Sequence, residues 1–461
     1  MTQASDGSGC PWRAVLERFE QKAPASVMAR TLLDQAFPAT WLDAVFAQHR
    51  GRQYERDLLF STVVELMMLV VVGLQPSLHA AARQSRDLPV SLAALYDKIK
   101  RTDPDLLGAL VRASAERLEP VLAELGPGPA RLPGYALRVI DGNHLPASEK
   151  RLTALRACPG AALPGTAIVV YDPDSGLVTD LVAGEDAYEH ERVLSRALFE
   201  RAEPGQVWIG DRHFCPGALL RGWDAAGAGF VVREHARHPR LSGESAWRKA
   251  GRTETGRLRE QAITLADPGA QAAPWRRIEL TLDRPSQAGE RILRVWTNLP
   301  AQVSAAQIAQ AYRDRWRIEG MFQRLERVLH SEITSLGHPR AALLGFGVAL
   351  LAYNVLALIE RCVERAQTAA GKPAPTVSLY HLALQVRSGY EGLRIALPAD
   401  CATGPAGDPK ALAARLLSLA RRIDPKRVAA SQRKPKPRST EPARQTNAHV
   451  ATARVLANQT P

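Results

Sequence analysis

Cysteine is scarce in this chain and scattered: Cys10, Cys158, Cys215, Cys362 and Cys401 are odd in number and far apart. No C-x-x-C pair is present, which excludes the common zinc and dithiol spacings and fits a reducing cytoplasm. The start, "MTQASDGSGCPW", lacks a basic segment followed by an apolar run, so no signal peptide is expected. Also missing are a Walker P-loop, a G-x-S-x-G elbow and a G-x-G-x-x-G turn, so no motif argues for nucleotide hydrolysis, serine-type acyl transfer or dinucleotide binding.

Long hydrophobic runs are almost absent. "LLFSTVVELMMLVVVGL" (Leu58 to Leu74) is short and holds Glu65; "AALLGFGVALLAYNVLALI" (Ala341 to Ile359) is long enough for a bilayer but carries Tyr353 and Asn354. Both read as helices buried in a large protein, and no membrane partner is expected. What the chain does have is size and positive charge. With 461 residues, 46% of them hydrophobic, it has room for roughly two to four domains with sizeable cores. Sixty Lys and Arg against 47 Asp and Glu give a formal charge of +13. Clustered cations gain affinity by releasing counterions from phosphate backbones, so an acidic polymer is the expected partner; charge alone leaves a membrane surface open.

From about Trp12 to Leu125 apolar residues recur at helical spacing, broken near Pro38, Gly51, Pro76, Pro89 and Pro104. This predicts a helical N-terminal domain over residues 1–130. Tyr96, Lys98, Lys100 and Arg101 gather at one of its helix ends, where a DNA-facing patch and a solvated terminus account for them equally well. "GPGPARLPG" is a linker by composition, and strands follow. "YALRVIDGNHL" ends a β run at Asp141, "GTAIVVYDPDSGLVTDLVAG" reads as a hairpin turned at "DPDSG", "QVWIGDRHF" as a strand ending at Asp211, and "GFVVRE" as another. Helices are expected at "EHERVLSRALFERA" and "PGALLRGWDAAG".

Residues 234–290 are Arg-rich, broken by Gly and Pro, and read as an inserted β subdomain; "RILRVWTNLP" resumes the scaffold. Ser304 and Gln307 form a capping-box pattern, with Val303 and Ile308 as a staple, so one helix is expected from about Ala305 to just before Gly337. The tail from Pro425 holds eight Lys or Arg against one Glu. It reads as disordered chain that touches phosphate, with solubilising charge as the plain alternative.

On the helix from Ala305, offsets of three and seven residues bring Tyr312, Arg315 and Glu319 within roughly 60° of one another, beside an apolar stripe of Ile318, Phe322, Leu325 and Leu329. Such a stripe alone is most often the solvated side of an amphipathic helix. Each Asp alone is also weak, since "DG" after a strand is usually a turn. Together they say more. Acids at the ends of neighbouring strands in an α/β sheet can converge, and a helix on that sheet can bring a third. Three crowded carboxylates raise one another's pKa unless a cation neutralises them, which a pair of magnesium ions does. A two-metal site can hold the attacking and leaving oxygens of a phosphoryl transfer in line.

With "VIDGNHL", "WIGDRHF" and "YRDRWRIEGMFQRLE" in this order, the chain resembles the DDE transposases of bacterial insertion sequences, in particular the insertion sequence four family with its Tyr-x2-Arg-x3-Glu-x6-Lys signature. The likeness covers about residues 40 to 460, including "TNLP" and the tail ending in "HVATAR". It implies an α/β fold: an RNase H-like catalytic core (131–233 and 291–365) interrupted by a β-rich insertion (234–290). The helical N-terminal domain (1–130) becomes a candidate for DNA-end binding, followed at the other end by a helical C-terminal region (366–424) and the basic tail (425–461).

The resemblance implies that Asp141, Asp211 and Glu319 form a catalytic triad holding two Mg2+ ions, with Mn2+ able to substitute. Tyr312 and Arg315 would grip the phosphate backbone near the element end, and Arg212 would accompany the second acid. Implied partners are double-stranded DNA, as terminal inverted repeats and target, and a second copy of the chain on paired ends, in a bacterial cytoplasm. The signature's Lys position holds Glu326, and Arg324 and Arg327 point elsewhere on a helix. Trp247, Trp275 and Trp296 are candidates for stacking a flipped base, with core packing as the plainer role. His144 and His213 read as structural neighbours of the acids. The implied reaction is cleavage at element ends followed by strand transfer from the freed 3′-hydroxyl. Two other classes share these residues: a nuclease that cuts without joining, and a transposase-derived DNA-binding protein that no longer cuts.

Overall fold

The β-branched runs pair into one sheet, and its register decides where each acid stands. The computed structural model describes residues 12–51, 53, 57–85, 88–126, 128, 130–237, 239–266, 274–286, 289–331, 333–369, 376–398, 401–405, 407–430 and 449–457. Helices come first: α1 (Arg13–Lys22), α2 (Pro24–Ala36), α3 (Ala39–His49), α4 (Phe60–Val71), α5 (Leu78–Gln84), α6 (Leu92–Arg101) and α7 (Pro104–Glu124). Local chemistry sets their starts. Pro24 and Pro104 occupy first-turn positions that need no N–H, and Ser77, Ser91 and Asp103 accept backbone N–H groups of the turns they open.

Strands and helices then alternate: β1 (Ala136–His144), β2 (Ala161–Leu163), β3 (Thr166–Tyr171), β4 (Val178–Gly184), α8 (Glu191–Leu194), β5 (Gln206–Gly210), α9 (Gly217–Ala225) and β6 (Gly229–Arg233). The Arg-rich stretch supplies β7 (Leu241–Glu244), β8 (Arg248–Thr253), β9 (Gly256–Leu265) and β10 (Trp275–Leu282), and β11 (Ile292–Thr297) follows. The chain closes with α10 (Ala305–Arg313), α11 (Trp316–Val328), α12 (Pro339–Ala369), α13 (Leu379–Ala396), α14 (Pro409–Ala420), α15 (Pro425–Val428), β12 (His449–Ala451) and α16 (Thr452–Ala457).

The main sheet runs β4-β3-β1-β5-β6-β11-β10-β9-β7, with β8 paired to β9. β1 lies parallel to β5 and β5 parallel to β6, whereas β3 is antiparallel to both β1 and β4. The stretch expected as an inserted subdomain therefore belongs to the same sheet, joined to β6 through β11. The β3–β4 hairpin turns where its sequence says it should. Asp172 accepts from the N–H groups of Asp174 and Ser175 at 2.8 and 3.3 Å, and Gly176 takes a left-handed φ of +80°.

Successive strand residues enter opposite cores, as the pleat requires. Leu137, Val139, Val169, Val207 and Ile209 join one core with residues of α7 and α12; Ile140, Ile168, Trp208 and Phe230 join another with Leu220 and Trp223 of α9. The first core also contains residues from Ala25 to Val428, so the N- and C-terminal helices share an interior. Arg30, on α2 and only 5% exposed, donates to the carbonyls of Leu393, Leu397 and Pro398 at the end of α13.

Among the described residues α12 alone is long and apolar enough to cross a membrane, and its apolar window is wholly buried. Its polar residue is used inside the protein: Asn354 accepts from the Val178 N–H at 2.8 Å and donates to the Val178 carbonyl at 2.9 Å. Glu65 of α4 faces outward to Arg394 at 3.2 Å.

Two expectations need correction. The helix expected from Ala305 to just before Gly337 is split. Its capping box forms, but the N–H groups of Arg315, Arg317 and Ile318 reach back three residues instead of four. The cause is Asp314, whose buried carboxylate accepts from Arg131 and Arg317 at 3.1 Å each and tightens the chain around itself. The tail's described flanks are also ordered where disordered chain was expected: they carry α15 and the β12–α16 segment, with β12 parallel to β2, while residues 431–448 lie outside the described residues.

Replacing Asn354 by Leu is expected to leave both backbone groups of Val178 buried without partners. A loss of about 2 to 4 kcal/mol should follow, read as a lower midpoint in thermal or urea denaturation. An unchanged midpoint would show that the Asn354 contacts are not needed.

Candidate active site

Asp141 stands inside β1, because the strand runs on to His144 and the Asp141–Gly142 pair is extended chain, not the turn its sequence suggests. The parallel register aligns Val139 with Ile209; two residues further along lie Asp141, still within β1, and Asp211, just past the end of β5. By alternation Asp141 shares the face of Val139, and α11 lies against that face. From α11 come Arg315 and Glu319. Arg315, only 8% exposed, donates to Asp141 Oδ2 at 3.4 Å and to Glu319 Oε1 at 2.8 Å. Its Nε is buried without a partner, and its guanidinium lies 5.1 Å from the ring centre of Trp316.

Asp211 is held by the turn it starts. Its Oδ1 accepts the His213 N–H at 2.7 Å, capping a single 3-10 turn (Arg212–Phe214), and its Oδ2 is 3.7 Å from His213 Nδ1. The electrostatics report a crowded site. Burial pushes the Asp141 carboxyl up to about 6; Arg315 opposes the rise, while Asp211 and Glu319 add to it. Asp211 and Glu319 are thus both within Coulombic reach of Asp141, with the Arg315 guanidinium between Asp141 and Glu319.

Part of the chain is similar to a transposase DDE domain. Residues 133–355, just under half of the chain, match the family model described as Transposase DDE domain. No curated protein matches the chain in sequence. A cryo-EM structure of a piggyBac transposase synaptic complex with hairpin DNA aligns with 12% identity and a TM-score of 0.38. It covers 82% of this chain and 83% of that one, a likeness too slight to bear on the fold.

The match to the DDE domain includes all three acids and the strands β7 to β10. Its acids offer hard oxygen donors, which suit magnesium or manganese. Among the described residues, however, no three His, Cys, Asp or Glu side chains stand ready-arranged for a metal ion. Arg315 supplies the reason: its guanidinium occupies the space between Asp141 and Glu319 and neutralises them as a cation would. The donor chemistry fits; the present spacing is that of an Arg-bridged set.

Tyr312 and Arg315, expected to grip a phosphate backbone, are both buried, so neither presents an open face to DNA in this arrangement. Arg212 does. It is exposed and lines a cavity of about 800 Å3 together with His144, Tyr188, Glu191 and His213. It also borders a neighbouring hollow of about 470 Å3 with Arg233, Arg277 and Arg294. Cys215 lies at the first cavity, but burial pushes its thiol up to about 12, which removes a thiolate nucleophile.

Glu326 is exposed at the position of the signature Lys, Arg324 pairs with Glu360 at 3.1 Å on α12, and Arg327 is exposed. Of the three tryptophans, Trp275 and Trp296 belong to the core; Trp247 is half-buried, with the Arg259 guanidinium 4.4 Å above its ring. The N-terminal patch is largely engaged: Lys98 turns inward to the Leu58 carbonyl, and Lys100 and Arg101 both pair with Asp97. Sequence reasoning missed Glu191, which lies against Gly142 and 3.6 Å from His213 Nδ1. The only local signal was the glycine after Asp141, which reads equally as a turn.

A carboxyl held at about 6 when folded and near 3.8 when unfolded binds more protons in the folded chain between those values. Its stability penalty is absent below the lower value and complete above the upper one. In metal-free buffer Asp141→Asn is therefore expected to raise stability at pH 8 by about 2 to 3 kcal/mol, with the gain fading toward pH 4. Thermal midpoints across that range check it; a lower midpoint at pH 8 contradicts it.

Proposed function

We propose that the chain is a DDE transposase that cuts DNA at the ends of its element and joins the freed 3′-hydroxyl to target DNA. One observation carries this reading: Asp141 on β1 and Asp211 just past the end of the parallel β5 lie at corresponding positions, and Arg315 ties Glu319 of α11 to Asp141. The first five strands of the sheet, in the order β4-β3-β1-β5-β6 with β3 reversed against its neighbours, support an RNase H-like core.

In this reading Asp141, Asp211 and Glu319 would hold two divalent ions, which would supply charge neutralisation at the scissile phosphate and activation of the attacking oxygen. The chain's own residues do the rest. The His213 N–H fixes Asp211, the Gly142 N–H fixes Asp141 at 3.0 Å, and both are thereby aimed before substrate arrives. Arg315 balances Asp141 and Glu319 with its charge. Arg212, open at the cavity, meets phosphate directly. Double-stranded DNA is the partner, and a pair of chains brings two ends together.

Asp141→Asn, Asp211→Asn and Glu319→Gln are each expected to abolish Mg2+-dependent cleavage of end-containing DNA while binding is retained. Full activity in any of the three removes that residue from the triad. In the same assay, products joined to target mark a transposase, whereas cut but unjoined DNA marks a nuclease. Arg212→Ala should weaken binding uniformly across sequences and reduce the salt slope by about one ion. A gel-shift titration at several salt concentrations reads it, and an unaltered slope assigns the contact elsewhere.

A further inference from the structure

Glu191 opens α8, on the sheet face opposite α11, and its side chain is 24% exposed. Its two oxygens reach two different segments, β1 and the turn that follows β5. Oε1 lies against Gly142, so close that a Cβ there would stand 2.0 Å from it. Oε2 is 3.6 Å from His213 Nδ1, the same nitrogen that lies 3.7 Å from Asp211 Oδ2. One side chain therefore lies against the residue that follows Asp141 and near the ring of His213, the residue whose backbone N–H holds Asp211.

Gly142 itself needs explaining. It is not one of the left-handed glycines of the chain, and it sits in regular extended strand paired with Ile168, where any residue could follow the backbone. What excludes a side chain is the Glu191 carboxylate. The glycine serves the close approach of another group, not a bend.

We infer that Glu191 is a positioning residue of the catalytic centre, wedged between Gly142 and His213 so that it fixes Asp211 relative to Asp141. The inference rests on the reading of Asp141, Asp211 and Glu319 as metal-holding acids. Glu191 approaches from behind the sheet and touches neither metal nor DNA in this account. It sets the spacing of the oxygens that do, as groups behind a metal's direct ligands commonly do.

The test is Mn2+ binding to the full chain without DNA, followed by calorimetry or electron spin resonance, so that no turnover is needed. Glu191→Ala is expected to weaken Mn2+ binding roughly 10-fold, and Glu191→Gln, which keeps the side chain's shape, to weaken it less. Thermal midpoints near the wild-type value separate this from a loss of fold. Gly142→Ala is expected to weaken Mn2+ binding as Glu191→Ala does, because the new methyl displaces the carboxylate. In the Glu191→Ala background the same change should add nothing further. Wild-type Mn2+ affinity in both Glu191 variants overturns the inference, as does a Gly142→Ala effect that is undiminished when Glu191 is already gone. Asp141→Asn is the control for the underlying reading. If it binds Mn2+ as the wild type does, the metal-holding triad fails; if it loses Mn2+ while the Glu191 variants do not, only the wedge fails.

Discussion

A buried carboxylate on β1, Asp141, with Asp211 and Glu319 close by, is the constraint that the candidate site must satisfy. Negative groups at such close quarters are stable only if something positive stands among them. Here Arg315 does so, nine-tenths buried and bonded to both Asp141 and Glu319. The arrangement is self-consistent without any ion, yet it leaves the Asp141 carboxyl raised to about 6, because one guanidinium does not fully offset burial and two neighbouring acids.

The scaffold answers this constraint from both sides of one sheet. On one face α11 supplies the guanidinium and the third acid; on the other α8 supplies Glu191 behind Gly142. Between them run strands whose side chains alternate strictly between two cores, so each acid's direction is set by its parity along the strand. The split between α10 and α11 belongs to the same design. Asp314, tied to Arg131, tightens the chain just before Arg315 and so fixes how that residue enters the site.

Much of this was legible in the residues, and what was not had a long-range cause. The hairpin at "DPDSG", the capping box at Ser304 and the burial of α12 all follow from contacts within a few residues or from composition, and the sequence foretold them. The helix break was hidden because Arg131, the partner that stabilises it, lies 183 positions from Asp314. The role of Gly142 was hidden for the same reason, since the group that fills its missing side chain comes from another element. Exposure misled as well: Tyr312 and Arg315 carry polar groups that read as surface, but a buried counter-charge justified taking them inside. The Arg-rich insertion looked autonomous because its composition changes, whereas backbone pairing, which composition does not report, carries the sheet through it.

That continuous ladder has a mechanical consequence. β10 and β11 are bonded across to β6, and β6 to β5, the strand that leads into Asp211. The Arg-rich strands cannot swing as an independent lobe without tearing backbone bonds in the sheet that carries Asp141. A load applied at their outer edge would instead be felt as twist along the row of strands, so this half of the molecule behaves as a stiff plank whose far end is coupled to the strand that leads into Asp211.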